Sequence, residues 1–124
     1  DSGTLIQYNG TNWTGVLTGK TTRLQAVWGT GPKDLWAGGD QGEIVYYGPN
    51  GARDRKLGNF MVLGLTGVSS SEIYASGWQG MFKWDGTTWK NVPVVTDMWV
   101  SSVFAQGSEI WATGTNGALL RKTP

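Results

Sequence analysis

Chemistry in this chain must come from carboxylates, amides and indoles. Its 124 residues include no histidine and no cysteine, but eight tryptophans. A nucleophile–histidine pair is therefore impossible, and so is a zinc site of the usual kind. Paired carboxylates can hydrolyse glycosides, so the acids deserve the first look. Asp34, Glu72 and Glu109 stand 38 and 37 residues apart, each at the head of a similar phrase: "DLWAGGDQG", "EIYASGWQG" and "EIWATGTNG". A catalytic acid should be unique. An acid copied at a fixed period implies a structural task, expected here to be acceptance of backbone N–H groups at a turn. A sialidase-like site would need an arginine cluster, whereas Arg23, Arg53, Arg55 and Arg121 are scattered. "GTGPKD" (29–34) lacks the Gly-Lys-Ser/Thr ending of a phosphate loop. "GGDQG" offers one carboxylate per turn, below a calcium site's usual number. The chain reads as a non-enzyme, with no cofactor and no metal.

What remains is binding chemistry. The turns after the repeated phrases hold Asp40 with Gln41, Trp78 with Gln79, and Thr115 with Asn116. An amide recurs beside a variable partner. Trp78 breaks the repeat at a turn, and Trp99 breaks it where the other copies have Arg23 and Met61. Indoles stack on sugar rings or anchor peptides, while amides and acids orient hydroxyls. Trp78, Gln79, Trp99, Asp40, Gln41, Thr115 and Asn116 are thus the candidate ligand-binding residues. The expected function is lectin-like carbohydrate binding. The alternatives are a protein-interaction scaffold or envelope assembly factor and, last, a glycosidase-type enzyme.

The elements that position these residues follow from the repeat. Twenty glycines and only 15% charged residues suit short strands and tight turns, not helices. The phrase "LQAVWG" (24–29) before the first acid returns as "VLGLTG" (62–67) and "VSSVFA" (100–105). After the phrases come "GEIVYYGPNG" (42–51), "GMFKWDGTTW" (80–89) and "GALLRK" (117–122); "GTLIQYNGTNW" (3–13) is an earlier copy. Each unit holds four extended segments, A to D in order. Four strands per repeat of this length is the mark of a β-propeller blade. These phrases resemble the tryptophan-rich propeller repeats of secreted bacterial proteins. They are more distantly similar to photosystem-assembly-factor and Asp-box propellers, although "KWDGTTW" lacks the serine and one spacer of an Asp-box. The resemblance implies a propeller fold and a secreted or cell-envelope location in a bacterium.

The expected architecture is all-β: a single β-propeller segment over 1–124, with repeats near 3–41, 42–79 and 80–116 and a partial one at 117–124. Strands run C-D, A-B-C-D, A-B-C-D, A-B-C, thirteen in all. About three blades are too few for a ring, which typically needs four to eight. The ring is expected to be completed by another chain, as a homo-oligomer, or by sequence missing from this one. The start at Asp1 without methionine fits a true N-terminus elsewhere. Net charge is +1, and the densest cluster, "ARDRK" (52–56), contains its own acid. Nucleic acid is not an expected partner; carbohydrate or protein is. No apolar run is long enough for a membrane span.

Among the tryptophans, Trp36 and Trp111, with Tyr74, share one place in strand B beside Ala37, Ala112 and Ala75. They are expected to pack blade against blade. Trp84 and Tyr47 are expected to be structural, and Trp13 and Trp89 to pack on outer strands. Trp28 could cap the core or face a central channel.

Overall fold

A computed structural model describes residues 3–78, 80–94 and 99–123. Thirteen strands occur among them, all paired antiparallel. Strands β1 (Leu5–Tyr8) and β2 (Trp13–Val16) form a hairpin. The first full sheet comprises β3 (Leu24–Gly31), β4 (Asp34–Gly39), β5 (Ile44–Gly48) and β6 (Gly51–Asp54). The second comprises β7 (Val62–Ser69), β8 (Glu72–Gly77), β9 (Gly80–Trp84) and β10 (Trp89–Val92). The last has three strands: β11 (Val100–Gln106), β12 (Glu109–Gly114) and β13 (Leu119–Lys122). This is the expected order of four-stranded antiparallel blades, a partial propeller. The innermost strands lie side by side, β3 against β7 and β7 against β11.

Each turn has a local cause. In "YNGTNW" and "WDGTTW" the Asx side chain closes the C–D turn. Asn9 Oδ1 accepts the N–H groups of Thr11 and Asn12 at 2.9 and 2.8 Å. Asp85 Oδ1 accepts those of Thr87 and Thr88 at 2.9 Å each. The glycine ending the B-strand phrase has a steric reason. A Cβ on Gly39 or Gly77 would overlap the carbonyl oxygen of Arg23 or Met61, where strand A begins.

The blades adhere through aromatic side chains. Trp36, 2% exposed, sits between the first and second sheets with Ile44, Val62, Leu65, Ile73 and Trp84. Its ring centre lies 5.1 Å from Tyr46, 5.4 Å from Trp84 and 6.0 Å from Trp89, in tilted and edge-on contacts that aromatic quadrupoles favour. Trp28 caps this core: a Cβ on Gly67 of the neighbouring blade would strike its ring. Tyr74 and Met81 repeat the arrangement against Val103, Ile110 and Ala112 of the third sheet. Trp89 packs as expected, and its Nε1–H donates to the Arg55 carbonyl at 2.8 Å. Trp13 does not pack. It is 65% exposed and touches Tyr8, because no full blade stands behind its hairpin among the described residues.

The recurring acids are structural, but their partners are side chains rather than turn N–H groups. Asp34 accepts from the Thr30 hydroxyl. Glu72 accepts from Tyr74 at 2.8 Å and pairs with Lys83 at 3.4 Å; the Tyr74 hydrogen bond, aided by Lys83, holds its pKa below the ordinary glutamate value. Glu109 pairs with Arg121, whose guanidinium lies over the Trp111 ring. Strand C thus supplies a cation over the strand-B aromatic in two blades, and Tyr46 in the other.

A charged latch ties the chain entering β3 to the outer strands of its own blade. Lys20 Nζ lies 2.6 Å from Glu43 and 3.1 Å from Asp54, and Lys56 adds a 3.3 Å pair to Glu43. Lys20 and Glu43 are mostly buried. The hydrogen bond from Lys20 outweighs burial and lowers the Glu43 pKa. A folded-state pKa below the unfolded one means fewer protons bound in the native state. The latch therefore contributes fully at neutral pH and is lost as pH falls below about 4.5. Urea titrations should give a lower midpoint at about pH 3 than at neutrality. Glu43→Gln should be less stable at pH 7 with a shallower acid slope; an unchanged slope would dismiss the latch. Trp36→Ala should cost about 3–5 kcal/mol in the same assay.

Candidate functional site

The turns joining strands B and C, together with the starts of the A strands, form one end of the propeller. In the first blade Asp40–Gly42 is a single 3-10 turn, in the third Thr115–Gly117. Within these turns Gln41 has φ 58° and Asn116 φ 59°, each followed by a glycine of positive φ. This left-handed geometry suits Asn and Gly and strains glutamine. It gives the recurring amide–glycine pair a conformational reason independent of any ligand. Both side chains remain exposed. The first turn is also clamped from below: a Cβ on Gly42 would overlap the Gly58 carbonyl, and Leu57 N–H donates to the Gly42 carbonyl at 2.8 Å.

Asp40 is half-buried and already engaged. It accepts from Gln25 Nε2 at 2.8 Å and pairs with Arg23 at 3.3 Å. Its backbone N–H donates to the Arg23 carbonyl at 3.0 Å, and Thr115 N–H does the same to Trp99 at 3.1 Å. In these two blades the B–C turn is thus stitched to the start of strand A.

The second blade differs. Trp78 forms a β-bridge with Trp99 across the blade boundary. The two rings lie 5.9 Å apart at 40°. They are 52% and 39% exposed, a paired aromatic surface on the turn face. The two indoles that break the repeat therefore do meet. Gln79 lies outside the described residues.

Beside this pair, a groove of about 580 Å3 runs between the first and second blades. Asp40, Gln41 and Trp78 line it with Asn59, Phe60, Met61, Phe82 and Asn91. Phe60 and Phe82 meet edge-to-face at 4.9 Å. Trp99, Thr115 and Asn116 do not line it; they continue the same face onto the third blade. Sequence reasoning missed Asn59, Phe60, Phe82 and Asn91. Phe60 and Asn59 lie in a non-repeating connection. Phe82 and Asn91 face each other in the β9–β10 register, a pairing that no spacing rule marks as functional. Among the described residues, the groove's lining holds three aromatics, three amides and one carboxylate, and no lysine or arginine.

No helix among the described residues is long and apolar enough to cross a membrane. No protein-family model matches the chain, and no curated protein matches it. Solved structures do. YCF48 from Cyanidioschyzon merolae is 18% identical over 97% of this chain and 44% of its own, with a TM-score of 0.78. YCF48 bound to D1 peptide is likewise 18% identical, over 99% of this chain and 44% of its own, also at 0.78. The chain spans less than half the length of either. The likeness is one of fold, and it agrees with the partial propeller read from the strands.

The turn geometry is testable by itself. Gln41→Gly should leave stability unchanged or raise it by up to about 1 kcal/mol, whereas Gln41→Val should lower it by about 1 kcal/mol or more. Thermal melts of the two variants would separate a conformational glutamine from one with no such constraint.

Proposed function

We propose that the chain is part of a non-enzymatic protein-interaction scaffold, which captures an extended peptide segment in the groove between its first two blades. The groove itself carries this reading. Gln41, Asn59 and Asn91 offer amides that both donate and accept, as an extended backbone requires. Phe60, Phe82 and Trp78 offer apolar ground for side chains between them. Among the described residues the lining has no lysine or arginine and its one carboxylate, Asp40, is already paired with Arg23, which suits an uncharged segment. Binding rather than catalysis also agrees with the recurring acids, each engaged by a partner within its own blade. Support from the fold is general: YCF48, a propeller of similar structure, has been solved with a peptide bound.

A second reading, carbohydrate binding, rests on the exposed Trp78–Trp99 pair, since tilted indoles beside amides also suit the apolar face of a neutral sugar. One variant separates the two. Peptide and glycan arrays should be probed with the chain and with Trp78→Ala. The scaffold reading expects peptide ligands whose affinity falls about tenfold or more in the variant, or about 1.4 kcal/mol. Glycan binding lost in the variant, with no peptide bound, would favour the second reading. Ligands insensitive to Trp78→Ala would dismiss both.

A further inference from the structure

The groove between the first two blades does not end at Phe82 and Asn91. These two are cross-strand partners in the β9–β10 register, and the next pair on the same face is Trp84 with Trp89. Side chains on one face of a strand recur every second residue, about 7 Å apart. Trp84 and Trp89 line a second cavity of about 580 Å3, again between the first and second blades. The first blade continues across as well. Its Asp54, Arg55, Lys56 and Leu57 line the second cavity, as Asn59, Phe60 and Met61 line the groove. Only Gly58 separates these stretches in sequence, and a Cβ there would meet nothing within 4 Å. Groove and cavity are successive stations along one face of the β9–β10 hairpin. An extended segment lying in the first reaches the second within about two residues.

The stations differ in charge. The second contains Arg55 and Lys56. Lys56 is engaged by Glu43 at 3.3 Å, and Asp54 by Lys20 at 3.1 Å. Arg55 makes no ion pair among the described residues. Even so, it is firmly placed. Its backbone carbonyl accepts from Trp89 Nε1–H at 2.8 Å. Its guanidinium lies 5.4 Å from the Trp84 ring centre, and Nη1 donates to the Asp54 carbonyl at 3.1 Å. A guanidinium is a rigid fork of five donors, matched to a carboxylate. Here it is half-buried, laid on an indole, and has no counter-ion of its own. Thr87 and Thr88 bring exposed side-chain hydroxyls to the same cavity from the second blade.

We propose that the segment captured in the groove carries an aspartate or glutamate about two residues beyond the one seated at Phe82, and that Arg55 receives its carboxylate. The inference rests on the groove being a peptide site, and it gives that site a direction and a sequence requirement. Charge complementarity selects a single carboxylate over a doubly charged phosphate. Lys20, Arg55 and Lys56 stand around Glu43 and Asp54, an excess of one positive charge. A dianion would exceed that charge and meet Asp54, whose carboxylate borders the same cavity. The uncharged part of the segment lies at the turn rim and its acidic part against Arg55.

Screening the chain against a library of random eight-residue peptides tests this. Bound peptides should share an aspartate or glutamate at a fixed distance from an apolar residue. Replacing that acid by its amide should weaken binding about tenfold, and added salt should weaken the acidic peptide more than the amide. Arg55→Gln should cost the acidic peptide a similar factor and the amide peptide little, so that the two losses do not add. Circular dichroism checks that Arg55→Gln is folded, and the peptide substitution needs no altered protein. Peptides that require Trp78 but show no acidic preference would overturn this inference and leave the groove reading intact. So would losses that add in full. Tighter binding of phosphoserine at the acidic position would overturn the single-carboxylate assignment. A chain that binds no peptide overturns both readings.

Discussion

Everything in this fold depends on the contact of a large aromatic with a neighbouring blade. A four-stranded blade is too thin to bury its own side chains, so both of its faces must be covered from outside. Trp36 shows how. It leaves its strand on one face and meets Trp84 and Trp89 of the next sheet, while Ala37, its neighbour in sequence, points the other way. Aromatic residues on one side and aliphatic residues, alanine and glycine on the other let successive sheets mesh. Gly67 is the limiting case, a gap shaped for Trp28. The covered blades then bring their B–C turns onto one rim, where the candidate site lies.

Polar groups follow from the same constraint. A strand between two apolar faces leaves little room for charge, so ionic groups collect at strand ends and outer strands. The acids at the head of strand B engage side chains of their own blade. Lys20, Glu43 and Asp54 fasten the segment between the hairpin and the first sheet. On the turn rim, Asp40 is held by Arg23 and Gln25 in one blade, whereas the next has Trp78 reaching across to Trp99. Similar turns thus carry an ion pair in one place and an aromatic pair in another. Such variation on a constant frame is how a repeat fold comes to hold a specific site.

Much of this was legible in the residues. Thirteen short segments with glycine-marked turns appear in the order expected, because strand pairing between neighbours in sequence is a local property. The inter-blade role of Trp36 and Tyr74 could also be read, since a position repeated at a fixed period has a repeated environment. Trp13 was misread for the converse reason: it has the repeat position without the neighbouring blade. The partners of Asp34, Glu72 and Glu109 differ from the expected turn N–H groups: Lys83 and Arg121 reach Glu72 and Glu109 from strand C, which only register brings alongside, whereas Thr30 and Tyr74 are near in sequence but engage through hydroxyls.

By itself, then, the sequence determined the blade: its strands, its turns, its period, and which residues depart from that period. It also marked Trp78 and Trp99 as departures. Only the tertiary structure decided that these two meet, in a tilted pair. It also decided that the groove beside Trp78 draws Asn59, Phe60, Phe82 and Asn91 from a connecting loop and two outer strands. Period and alternation are set by neighbours along the chain, whereas a groove is set by the distance between two separately built sheets. That distance is determined by the side chains packed between them, and spacing along the chain does not encode it.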